Sequence, residues 1–156
     1  MNYKAVILDD EIHCSDGLKM QIQELFDDVE IIQTFNSSEQ ALEYFLQKNN
    51  QVIDILFLDV EMPRLNGLDF LKKLGKINFN VVFTTAYDQF AIQAFRFSAL
   101  DYLLKPIEDN DLIMAIDKLR QKNNIKGDND RINYLLEQYG NKKLNKIVIS
   151  TSEGYE

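Results

Sequence analysis

Only one cysteine, Cys14, and one histidine, His13, occur in the 156 residues. A lone thiol excludes an internal disulfide and suits a reducing cytoplasm. His13 has no nearby metal-ligand or triad partners in sequence, so a surface or helix-start role is expected for it, and no Cys/His metal pattern is present. Positive charge is also scarce: 17 Lys and Arg stand against 25 Asp and Glu, a formal net charge of -8. That balance argues against this chain holding nucleic acid by itself, since phosphate-backbone binding needs a basic surface. Acidity of this kind suits a cation-binding cleft. No apolar run approaches a membrane span and no signal peptide is visible, so a soluble, cytoplasmic protein without membrane partners is expected. Internal repeats, low-complexity tracts and a glycine-rich phosphate loop are missing too. What is present is an apolar fraction of 46%, enough for a real core in one domain plus an extension.

The stretch from Asp54 to Pro63 organises the rest. Ile55 to Leu58 is a short apolar run with almost no polar relief, which fits a strand buried on both faces of a parallel sheet. Asp59 ends it, at the position where open parallel sheets bind ligands. One isolated aspartate can simply end a strand. Other strand ends add weight: Lys4 to Leu8 runs into Asp9, Asp10 and Glu11, Val81 to Phe83 into Thr84 and Thr85, and Tyr102 to Leu104 into Lys105 and Pro106. Parallel neighbours would gather acids, a hydroxyl and one ammonium in a single pocket.

After Asp10 a helix is expected with an inner stripe of Cys14, Leu18, Ile22 and Leu25, which makes Cys14 core filling. Glu30 to Phe35 reads as an edge-side strand containing Ile31 and Ile32. Ser37 and Gln40 form a capping-box pattern before a helix with Ala41, Leu42, Phe45 and Leu46 inward, ended by Asn49 and Asn50. Asn66-Gly67 marks a turn, and Leu68, Leu71 and Leu74 carry the next helix up to Gly75. Asp88 opens another helix through Phe97, Leu100 to Leu104 is strand, and Glu108 and Asp109 precede a last helix with Leu112, Ile116 and Leu119 inward. Five strands alternate with five helices. The expected fold is therefore α/β, a flavodoxin-like (βα)5 doubly wound parallel sheet of order 2-1-3-4-5 with a C-terminal linker helix, which makes Asp9, Asp10 and Asp59 converge.

Asp9-Asp10-Glu11, Leu58-Asp59-Val60-Glu61-Met62-Pro63 with Gly67, Thr85-Ala86, and Asp101-Tyr102-Leu103-Leu104-Lys105-Pro106 resemble the motif set of a receiver domain from a two-component response regulator. The resemblance implies that Asp59 is the phosphoacceptor and that a sensor histidine kinase is the partner that phosphorylates it. It implies Mg²⁺ bound by Asp10, Asp59 and the backbone carbonyl of Glu61, with Asp9 supporting the ion through water. Thr85 and Lys105 would contact the phosphoryl group, Tyr102 would be the switch aromatic beside Thr85, and the Lys105-Pro106 bond would be cis. Glu61 and Tyr87 would flank the path of the hydrolytic water and, being charged or bulky, slow self-dephosphorylation.

The chemistry requires such residues. Clustered carboxylates repel one another and raise the pKa of at least one unless a cation keeps them ionised. Mg²⁺ prefers about six oxygen ligands and keeps waters, so two carboxylates, a carbonyl and solvent suit it. Phosphoryl transfer is then mostly positioning and electrostatics. Phosphorylation would place roughly two negative charges on Asp59; the resemblance implies that Thr85 would then move toward them and that Tyr102 would turn inward. Phe90, Phe95 and Phe97 make the adjoining region aromatic, either as a partner surface or as plain core.

By the resemblance, residues 1–124 are the receiver. Residues 125–145 read as a linker with a short amphipathic helix, carrying Ile132, Leu135, Leu136 and Tyr139 before Gly140. Lys142, Lys143 and Lys146 form a basic cluster, and Lys146 to Thr151 reads as a strand. Residues 146–156 look like the truncated start of a LytTR-type DNA-binding domain, or a basic solvated tail. Three classes follow: a phosphorylation-controlled transcription regulator, a stand-alone phosphorelay receiver, and a Mg²⁺-dependent aspartyl phosphohydrolase with Glu61 as acid/base. The first is not itself an enzyme, and a homodimer on phosphorylation, with DNA reached only through a domain outside this chain, is its expected assembly.

Overall fold

The computed structural model describes residues 2–47, 52–88 and 97–122. Its strands are β1 (Tyr3–Leu8), β2 (Val29–Phe35), β3 (Ile55–Asp59), β4 (Asn80–Thr85) and β5 (Asp101–Leu104). The helices are α1 (Ile12–Leu25), α2 (Ser38–Leu46) and α3 (Gly67–Leu74), and residues 109–122 form α4. All strand pairs are parallel, in the order β2-β1-β3-β4-β5. This is the expected topology, with β1 and β3 adjacent at the point where the order reverses.

Every residue of β3 is buried, as an apolar run covered on both faces requires. Alternation sends Val6, Leu8, Leu56, Leu58, Val81 and Phe83 to one face, where Ala41, Phe70 and Leu71 of α2 and α3 join them. Ala5, Ile7, Ile55, Phe57 and Val82, also buried, point to the other face. Each such large aliphatic or aromatic side chain contributes roughly 1.5–3 kcal/mol when fully buried. At the amino-terminal edge, Asp54 joins the central strands: its Oδ2 accepts from the Lys4 amide at 2.7 Å and its carbonyl accepts from the Asn80 amide at 3.0 Å.

Several local signals have a physical origin the sequence pattern does not display. The Ile31-Ile32 doublet cannot alternate, and the β1–β2 register shifts there, with Ala5 opposite Ile31 but Val6 opposite Gln33. Ser37 caps α2 by accepting from the Gln40 amide at 3.3 Å. Asn66-Gly67 is a helix start, because the Asn66 side chain accepts from the Asp69 amide at 2.8 Å. Gly75 ends α3 at φ +75°, a conformation that favours glycine.

Two inward assignments are corrected. In α1 the buried positions are Ser15, Leu18 and Ile22, while Cys14 is only half-buried. Leu18 and Ile22 face inward as expected, and Ser15 joins them because it finds hydrogen bonds that let it enter the core. Leu46 is 58% exposed, being the last residue of α2.

The chain divides into two units, Met1–Ile116 and Asp117–Glu156. In the first, Leu112 and Ile116 of α4 are buried as expected. Of the second, the structure describes residues 117–122, which are helical; Leu119 is buried and Arg120 Nη1 lies 2.9 Å from Asp117 Oδ1. α2 ends at Leu46 with Gln47 as its cap, before the expected stop at Asn49 and Asn50. Most of the helix expected from Asp88 to Phe97, with Phe90 and Phe95, lies outside the described residues, as do the expectations from residue 125 onward. Phe97 is partly buried against the core. No helix among the described residues is long and apolar enough to cross a membrane.

Candidate functional site

The carboxyl ends of β1, β3 and β5 place Asp9, Asp59 and Lys105 together. Asp9 and Asp59 are each only 3% exposed, and Asp10 is the most open of the acids. One carboxylate oxygen from each of Asp9, Asp10 and Asp59 lies within 4.8 Å of the others. Lys105 Nζ donates to Asp9 Oδ2 at 2.7 Å and sits 3.5 Å from Asp59 Oδ2. Backbone amides help hold the acids: Glu11 N–H donates to Asp9 Oδ1 at 2.9 Å and Glu61 N–H to Asp59 Oδ1 at 3.2 Å.

Gly67 explains how α3 can start so close to Asp59. Its amide donates to the Val60 carbonyl at 2.9 Å. A Cβ at this position would lie 2.4 Å from the Asp59 carbonyl oxygen, so only glycine fits without displacement.

Electrostatically the site is short of positive charge. Burial pushes the Asp59 carboxyl up to about 7, and the Asp9 charge adds to the rise while Lys105 opposes it. Burial acts to lower the Lys105 ammonium, but the bond to Asp9 and the charges of Asp59 and Asp9 together outweigh it and raise its pKa. Three carboxylates facing one ammonium present hard oxygen donors with a charge deficit. That donor set fits a hard divalent cation.

Thr85 is fully buried at the end of β4, and its Oγ1 accepts from the Tyr87 amide at 3.2 Å. In the β3–β4 register it is Thr84 that stands opposite Asp59. Tyr102 of β5 is half-buried, and its hydroxyl donates to the Tyr87 backbone carbonyl. Thr85 and Tyr102 are therefore joined through the two backbone groups of Tyr87. The side chains of Glu61 and Tyr87 are exposed, and the Lys105-Pro106 bond is cis.

Sequence reasoning missed two supporting residues. Asn36, at the end of β2, donates from Nδ2 to the Asp9 carbonyl at 2.7 Å and to Ser15 Oγ at 2.9 Å. Gln21 of α1 donates from Nε2 to the Ile107 carbonyl at 3.0 Å and to Asp109 Oδ1 at 2.7 Å, tying the segment after Lys105 to α1. A polar residue directly after β2 was the only available signal for Asn36. Beside Lys105 opens a cavity of about 260 Å³, lined by His13, Cys14, Gly17 and Gln21 of α1 with Pro106 and Ile107. Cys14 borders this space, and burial and its contact with Glu11 push its thiol up, which leaves it a poor nucleophile.

Comparison with known proteins gives the same grouping. The response regulator receiver domain family matches residues 5–117. The sensory transduction protein LytT of Bacillus subtilis is 37% identical over 122 residues, covering 77% of this chain and 49% of that protein. The transcriptional regulatory protein BtsR of Escherichia coli is 38% identical over 120 residues, covering 76% and 48%. The chain thus spans about half the length of these relatives. Among solved structures, the response regulatory domain of mrkE from Klebsiella pneumoniae superposes with a TM-score of 0.67 at 30% identity, covering 76% of this chain and 96% of that one. The REC domain of AraT, a response regulator from Geobacillus stearothermophilus, gives 0.66 at 32% identity, covering 81% and 99%. Acids converging from two strands, a facing lysine and this shared fold lead to one conclusion: the chain belongs to the response regulator receiver family of two-component signalling.

Proposed function

We propose that Asp59 accepts a phosphoryl group from a sensor histidine kinase and that the modified receiver switches a DNA-binding output in transcription control. The observation that carries this is the meeting of Asp9, Asp10 and Asp59 within 4.8 Å, with Lys105 Nζ 3.5 Å from Asp59 Oδ2. A carboxylate oxygen of Asp59 attacks phosphorus, the bond to the donor's leaving group breaks, and that group departs with the electron pair. Asp59 must be ionised to do this. Asp10, Asp59 and the Glu61 carbonyl would hold Mg²⁺, with Asp9 reached through water. When bound, the cation supplies the charge that keeps the acids ionised and neutralises the transferring group.

Lys105 pairs with Asp9 and reaches toward Asp59, so it can follow a phosphoryl oxygen once Asp59 carries the acyl phosphate. Thr85 would give up the Tyr87 amide to donate its own hydroxyl to that oxygen. Tyr102, bonded to the Tyr87 carbonyl, would register the movement because the same residue holds both ends. The face around β5 would then carry the change to a second copy or to the output domain. Support for transcription control is the name of BtsR, a transcriptional regulatory protein. The sequence from Lys146 to Thr151 would open the DNA-binding domain, and a cytoplasmic location follows from this role.

The test is incubation with acetyl phosphate and Mg²⁺, or beryllofluoride, while following amide shifts. Wild type should shift around Asp59, Thr85 and Lys105, and the response should vanish in Asp59→Asn or in EDTA. An unchanged response in Asp59→Asn rules out the assignment.

A further inference from the structure

The connection between β1 and α1 presents both Asp9 and Asp10, and one side chain outside it fixes its path. Asn36 Nδ2 donates to the Asp9 carbonyl at 2.7 Å and to Ser15 Oγ at 2.9 Å. Ser15 is fully buried and passes its own hydroxyl hydrogen to the Ile12 carbonyl at 3.0 Å. Alongside, the Asp9 amide donates to the Phe35 carbonyl at 3.0 Å. The end of β2 therefore grips both backbone groups of Asp9, one through the strand ladder and one through Asn36. That second grip sets the plane of the peptide leading into Asp10.

The plane matters because Asp10 is the least enclosed acid. Asp9 is held by Lys105 and the Glu11 amide, and Asp59 by burial in β3 and the Glu61 amide. Three like charges within 4.8 Å repel, and a loosened loop relieves that repulsion most easily by swinging the open acid away. We infer that Asn36 is a positioning residue for cation binding: through the Asp9–Asp10 peptide it keeps the Asp10 carboxylate beside those of Asp9 and Asp59. Asn36 touches neither cation nor phosphoryl group. The inference rests on the Mg²⁺ reading above.

Groups that orient metal ligands from behind are worth about 10- to 100-fold in metal affinity, and one hydrogen bond to the loop backbone belongs at the low end of that range. The experiment titrates the full chain with Mg²⁺ and reads the dissociation constant from backbone amide shifts of residues 9–11 and 59–61. Wild type and Asn36→Ala are compared, together with the acetyl phosphate rate at saturating Mg²⁺ and melting in EDTA. Asn36→Ala should bind Mg²⁺ about tenfold more weakly, with the saturated rate within about twofold of wild type because the ligands themselves remain. A purely structural role would lower melting in EDTA and leave the Mg²⁺ constant where it was, and that result overturns the inference. If wild type itself binds no Mg²⁺, the cation reading fails first, and the inference falls with it. Should Asn36→Ala unfold, Ser15→Ala removes the other anchor of the same amide and should weaken Mg²⁺ binding in the same direction; an unchanged constant there overturns it equally.

Discussion

Replacing Asp59 by Asn should make the metal-free protein more stable, not less. The Asp59 carboxyl is raised from 3.8 to about 7 in the folded state, chiefly by burial and by Asp9. At about 1.4 kcal/mol for each tenfold change in proton affinity, the gap corresponds to roughly 4 kcal/mol of destabilisation once Asp59 is ionised. Asn keeps the oxygen that accepts from the Glu61 amide but gives up the 3.5 Å approach of Lys105, which retains Asp9. The net gain at pH 8 should be about 2–4 kcal/mol, or roughly 5–12 °C in Tm. The sign with pH follows from the raised value: folded Asp59 holds its proton longer than unfolded Asp59. The penalty is therefore absent below pH 3.8, grows between 3.8 and about 7, and is complete above that. Urea denaturation of both proteins in EDTA at pH 4.5, 6 and 8 gives the profile, and saturating Mg²⁺ at pH 8 should close most of the gap by stabilising the wild type alone. Equal stability of the two proteins at pH 8 in EDTA would refute the reasoning, as would an advantage of Asn that fades as pH rises.

Two other perturbations follow from single contacts, and one expectation concerns the phosphorylated protein. Gly67→Ala forces a Cβ to within 2.4 Å of the Asp59 carbonyl oxygen, so urea denaturation should show a loss near the upper end of about 1–3 kcal/mol, with amide shifts at Asp59. Tyr102→Phe removes the hydroxyl donated to the Tyr87 carbonyl and should cost about 0.5–1.5 kcal/mol by the same assay; no change would mean that bond is replaced by water at no cost. If Glu61 and Tyr87 flank the path of the hydrolytic water, as the receiver resemblance implies, the phosphorylated protein should lose its group slowly, and a lifetime of seconds in an acid-labile phosphate assay contradicts that.

The strand order, the gathering of acids and the facing lysine were legible because each rests on residue order along parallel strands. Once β1 and β3 are neighbours, Asp9, Asp10 and Asp59 have nowhere else to meet. What escaped was set by hydrogen bonds between segments far apart in sequence. Ser15 looks like a surface residue until Asn36, twenty-one positions away, gives it a partner, which lets its hydroxyl enter the core. The Asn66-Gly67 pair carries the composition of a turn, yet its purpose is a helix cap that lets the chain pass against Asp59. Thr85 was found by motif, but its link to Tyr102 through Tyr87 is backbone geometry that no side-chain pattern records.

The measurement closest to the central claim is the chemical location of the phosphoryl group after acetyl phosphate and Mg²⁺. Borohydride reduction converts an aspartyl phosphate to homoserine, and peptide mass spectrometry then reads the position. The account predicts homoserine at residue 59 alone, absent when EDTA replaces Mg²⁺. Homoserine at residue 9 or 10, or none under conditions where the fold is intact, would contradict it.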